Sequence, residues 1–90
     1  MAFDVQIEYC EISDYFVHAI KLEEFIKKFF PLAIVYKIPR KEIIGIFEVK
    51  VNDVLVHSKQ KGQGHVKDGD IFLSNLSKSL ERKKTIKSIN

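Results

Sequence analysis

The sequence predicts one α+β domain, α/β in the broad sense, with a mixed four-stranded sheet and two helices in the order β-α-β-β-β-α. Three patterns carry this expectation: a strictly alternating apolar and polar run at residues 3–9, two amphipathic segments of helical period, and two β-branched runs meeting at Asn52-Asp53. With 90 residues, 46% of them apolar and 30% charged, the chain has the composition of a single folded domain over residues 1–90.

In the first run, FDVQIEY, Phe3, Val5, Ile7 and Tyr9 share one face and Asp4, Gln6 and Glu8 the other, the period of a half-buried strand. A polar turn follows Cys10. From Tyr15 to Phe30, residues Ala19, Leu22, Phe25, Ile26, Phe29 and Phe30 recur at helical spacing, with Ser13 or Asp14 as N-cap and Pro31 as the stop. Leu32–Ile38 reads as a second strand ended by the Pro39, Arg40, Lys41 cluster. Ile43–Val51 and Val54–Ser58 form an antiparallel hairpin, because Asn52 and Asp53 tolerate the positive φ that a two-residue turn needs.

The segment KQKGQGHVKDGD, residues 59–70, is a loop that holds three of the four glycines. Asp68 or Asp70 caps a last helix in which Ile71, Phe72, Leu73, Leu76 and Leu80 repeat at helical spacing, and Arg82, Lys83 and Lys84 suit its negative end. Residues 85–90 are expected to fray as a C-terminal tail. A strand, a helix and a strand at the start imply a crossover, and the late hairpin completes the sheet, which is the compact thioredoxin-like plan.

Composition and charge narrow the function classes. A single cysteine excludes an internal disulfide and points to a reducing, cytoplasmic setting. No apolar run reaches the roughly 18 residues of a membrane span, and the N-terminus lacks the features of a secretory signal. Residues 1–30 hold six acids against three lysines, and the remainder twelve basic against six acidic residues. Lysines scattered without interleaved aromatics read as a solvated surface, so no nucleic-acid partner is expected. His18, His57 and His65 lack metal-ligand spacing, no metal is expected, and His57 reads as a structural residue of its strand.

Cys10 stands where the first strand gives way to the first helix. If the turn aims its sulfur at the helix N-terminus, unpaired N–H groups and the macrodipole favour thiolate. A small, buried, apolar end to the strand is the alternative. Ser13 can cap the helix and can donate a hydrogen bond to a thiolate, but it cannot form a disulfide. Any thiol chemistry therefore passes through a mixed disulfide with glutathione or a partner cysteine, or through a sulfenic acid. Gly62 and Gly64, flanked by Lys59, Lys61 and Lys67, could hold the carboxylates of glutathione or a phosphate on backbone N–H groups, although a GxG is a weak signal on its own.

In combination, VQIEYC, the helix ending in FFP, FEVKVND, LVHSKQKGQG and the last amphipathic helix resemble the selenoprotein W family of small thioredoxin-like proteins, also called the Rdx family, over residues 4–82. The resemblance implies a cytosolic, glutathione-linked thiol oxidoreductase or a redox-responsive binding partner of other proteins. It places Cys10 at the first position of a Cys-x-x-Sec or Cys-x-x-Cys motif and Ser13 at the selenocysteine or second-cysteine position, giving a CxxS site. Either the second centre has been lost, or serine stands in for a reactive selenium or sulfur residue. The resemblance also implies substrate docking around Ile44 to Ile46 and the GQG loop. A monothiol redox protein with Cys10 as nucleophile and a non-catalytic interaction module are the two readings that follow.

Overall fold

The computed structural model describes residues 2–12, 14–42, 45–59 and 69–89, with 81–89 described by backbone alone. Its elements are β1 (Asp4–Cys10), α1 (Tyr15–Phe29), β2 (Ile34–Arg40), β3 (Phe47–Val51), β4 (Val54–Ser58) and α2 (Gly69–Ile89). The sheet order is β2-β1-β3-β4, with β1 parallel to β2 and antiparallel to β3. This is the predicted β-α-β-β-β-α plan, with α1 making the crossover between two parallel neighbours.

The alternation of β1 is what divides the sheet into two faces. Val5, Ile7 and Tyr9 stand opposite Val51, Val49 and Phe47 of β3, and all six are buried. Ala19, Leu22 and Ile26 of α1 and Phe72 and Leu76 of α2 join the same cluster, so both helices cover one face. Each fully buried aliphatic side chain contributes about 1.5–3 kcal/mol relative to exposure. The other face carries Gln6, Glu8, Glu48 and Lys50, at most partly buried, and no helix packs on it among the described residues.

The β3–β4 turn follows its residue types. Asn52 and Asp53 have φ of 48° and 70°, the left-handed pair of a two-residue hairpin turn. The Asn52 side chain also accepts from the Asp4 amide at 3.1 Å, while its own amide donates to the Asp4 carbonyl at 2.9 Å. The turn thus fastens the start of β1. A bulge between Val49 and Lys50 then shifts the register of β4.

Four expectations need correction. Strand β2 extends through Pro39 and Arg40, and proline is tolerated because β2 is an edge strand, where a missing amide donor need cost no ladder bond. Strand β3 begins at Phe47, later than Ile43, since Gly45 has φ of +78° and breaks the extended run. Asp14 is the N-cap of α1 but makes no side-chain cap bond; its carbonyl accepts from the Val17 amide at 3.1 Å. Helical backbone continues to Ile89. Asp70, expected as a cap of the last helix, lies inside the first turn of α2, which starts at Gly69, while Ser13 and Asp68 lie outside the described residues.

Candidate functional site at the carboxyl end of strand one

Cys10 is the last residue of β1. Its amide donates to the Ile46 carbonyl at 2.9 Å, and in the parallel ladder it stands opposite Arg40. Alternation therefore directs its side chain to the face of Glu8 and away from that of Tyr9. In agreement, Cys10 and Ile46 are both buried yet neither belongs to the core cluster under the helices. Cys10, the single cysteine of the chain, is only 1% exposed. The expected docking role of the Ile46 backbone is corrected in part, because its carbonyl is already taken by Cys10.

Charged side chains continue from Cys10 along the same face. Arg40 donates through Nε to Glu8 at 3.0 Å, and its guanidinium lies 3.8 Å from Glu42. Lys50 Nζ lies 3.7 Å from the other oxygen of Glu8. On the neighbouring hairpin, the Ser58 hydroxyl donates to Glu48, in the register pair just past the bulge. A carboxylate between two cations on a strand pair is held in place by geometry as well as by charge.

The helix side of this end is aromatic. Lys59 Nζ sits over the Tyr15 ring at 5.5 Å, tying the end of β4 to the start of α1. Tyr9 packs against Phe16 at 5.7 Å, while Ile12, Phe16 and Val17 remain exposed around the start of the helix. His18 and His57 belong to a column of rings: Tyr15–His18, His18–Phe47, Phe47–His57 and His57–Phe72 all meet edge to face or steeply tilted at 6.3–6.5 Å. The expected structural placement of His57 is what the column supplies.

Of the expected site, Cys10 is therefore placed, and Lys59 brings the root of the 60–68 segment to the same end of the sheet. Ser13, Gly62, Gly64, His65 and Ile44 lie outside the described residues. Among the described residues no group of three His, Cys, Asp or Glu side chains could hold a metal ion. Among the described residues no helix is long and apolar enough to cross a membrane. Arg40 was missed because Pro39 reads as a strand terminator. The signal that could have found it is the unbroken period of two through Ile34, Tyr36, Ile38 and Arg40.

With this geometry, comparison with known proteins gives consistent results. A family model described as the Rdx family matches residues 4–75. Selenoprotein V of Homo sapiens is 34% identical over 65 residues, covering 71% of this chain and 19% of that protein. The chain thus spans about a fifth of the length of that relative. A crystal structure of a selenoprotein W-related protein from Vibrio cholerae superposes with a TM-score of 0.70 at 17% identity, covering 87% of this chain and 96% of that one. A crystal structure from Bordetella parapertussis does so at 0.70 and 15% identity, covering 86% and 96%. At those identities the two structures establish the shared thioredoxin-like fold. The sequence match across most of the chain goes further, and on it the protein belongs to the Rdx family.

Proposed function

We propose that this is a small redox protein of selenoprotein W type that works through one thiol, Cys10, in the cytoplasm. The observation that carries the reading is the place of Cys10: it ends β1 directly before α1, in a chain of the Rdx family. In the forward step the Cys10 thiolate attacks the glutathione sulfur of a glutathionylated partner protein. A Cys10–glutathione disulfide forms, and the displaced sulfur leaves as a thiolate. A second glutathione thiolate then attacks the glutathione sulfur of that bond, releasing oxidised glutathione and restoring Cys10. Glutathione is a co-substrate here and not a resident cofactor.

Within this reading, Ser13 donates a hydrogen bond to the thiolate, and the backbone amides of Gly62 and Gly64 receive a glutathione carboxylate. Lys59 supports the second assignment, because its seat on Tyr15 brings the beginning of the glycine segment to the start of α1. The test is intact mass after incubation with oxidised glutathione. One adduct on the natural chain and none on Cys10→Ser is the expected result. No adduct at excess oxidant would overturn the proposal.

The burial of Cys10 favours a second reading, an interaction module whose thiol is structural. A sulfur 1% exposed reacts only as fast as its surroundings open. In that case partner capture survives Cys10→Ser, whereas loss of capture in that variant supports the thiol-dependent account.

A further inference from the structure

The two edges of the sheet are built differently. On β2 the edge carries Lys37, Pro39 and Arg40, residues that discourage pairing with another strand. On β4 the stretch Val54, Leu55, Val56 has neither charge nor proline. Because Val51 and Val54 flank a two-residue turn, they are the hydrogen-bonded pair that closes the hairpin. The next pair, Lys50 and Leu55, is then the non-bonded kind, so the Leu55 N–H and C=O point outward, away from β3.

These outward groups open on a cleft of about 250 Å³ between β4 and α2, lined by Val54, Leu55, Val56, Asn75, Lys78 and Ser79. Ser79 is 7% exposed, and its hydroxyl makes no hydrogen bond among the described residues. A buried hydroxyl without a partner costs about 1–3 kcal/mol, so such a group calls for a ligand or a water. Lys78 is exposed at the rim. Lys50, opposite Leu55 across the ladder, is engaged by Glu8 and leaves Lys78 as the cation that lines the cleft. The edge is apolar in its strand and carries a cation, Lys78, at its rim.

We propose that this cleft receives an extended acidic peptide segment of a partner protein, added to the sheet as a fifth strand beside β4. The Leu55 N–H and C=O supply the main-chain bonds, Asn75 and Ser79 bond the peptide backbone or a polar side chain, and Lys78 selects a carboxylate. A strand edge flanked by a helix is the arrangement that strand addition requires. The bulge between Val49 and Lys50 leaves Val56 without a register partner, so the regular part of this edge is short. Selectivity must therefore come from α2. The Lys78 charge at the rim of the cleft is the reason an acidic segment fits and a basic one does not. The site lies on the opposite edge of the sheet from the β2 strand that flanks Cys10, and it stands independently of any thiol chemistry.

The test is a titration of the full chain, labelled with nitrogen-15, with a blocked seven-residue peptide of alternating valine and glutamate. Amide shifts at Val54–Val56 and Asn75–Ser79, with slowed exchange of the Leu55 amide, are expected. The valine–lysine counterpart should bind at least about ten-fold more weakly, and Lys78→Glu should abolish that preference. Lys78 is exposed, so its exchange leaves the fold intact. A backbone N-methylated copy of the acidic peptide should not bind. The proposal is overturned by no shifts at millimolar peptide, by shifts confined to other elements, by equal binding of the lysine peptide, or by undiminished binding of the N-methylated one.

Discussion

Cys10 and Arg40 face one another across the parallel β1–β2 ladder, and the chain crosses back beyond them where the Glu11 amide donates to the Arg40 carbonyl at 3.0 Å. The guanidinium is drawn off along the strand to Glu8. Arg40 therefore serves as a strap between the thiol's strand and its neighbour. Arg40→Gln should lower stability by about 1 kcal/mol, read as a reduced urea midpoint with unchanged slope. The partly exposed pair limits the effect, and Lys50 keeps Glu8 from being stranded.

Burial makes Cys10 reactivity a measure of opening. Alkylation by iodoacetamide in the native protein should run at least about ten-fold slower than in urea-unfolded chain, and should rise at urea below the unfolding transition. Equal native and unfolded rates would show that the thiol is accessible in the ground state, contrary to its 1% exposure.

Gly45 should resist replacement. Its φ of +78° lies in the left-handed region, and among the described residues an added Cβ would meet nothing closer than the Tyr15 hydroxyl at 3.9 Å. Gly45→Ala should then cost about 1 kcal/mol from backbone strain alone, measured by equilibrium unfolding.

Asp53 offers the reverse. With φ of 70° in a two-residue turn, it occupies the position that glycine fills most readily, so Asp53→Gly should leave the hairpin intact and raise stability by a few tenths of a kcal/mol, up to about 1. A lower urea midpoint would show that the aspartate side chain contributes more than the backbone relief.

Ile7 is the stability control. It is fully buried in the central strand between β2 and β3, and Ile7→Ala should cost about 2–5 kcal/mol. For a domain of 90 residues that is a large share of the total, and thermal unfolding should shift by well over ten degrees.

Much of this fold was legible because its local signals agree. The alternation of Val5, Ile7 and Tyr9 and the turn types Asn52 and Asp53 state their structure without reference to anything distant. What local reading misjudged was context. Pro39 ends a strand in isolation but not at a sheet edge, and only the sheet order makes β2 an edge. Cys10 could be read as a buried strand end or as a thiol aimed at the helix, and local reading could not supply its amide bond to Ile46, 36 positions on in sequence. Arg40 became visible only through pairing.

The column of rings from Tyr15 to Phe72 has a practical consequence. It runs from α1 through β3 and β4 to α2, with imidazoles as two of its five rungs. In a chain with three histidines, the carbon-bound protons of those imidazoles are few enough to resolve individually by NMR. Each feels the ring currents of its aromatic neighbours. The molecule thus has its own internal gauge: a thiol adduct at one end or a bound strand at the other, if it shifts either helix by a fraction of an ångström, will be read out in two proton lines without any added label.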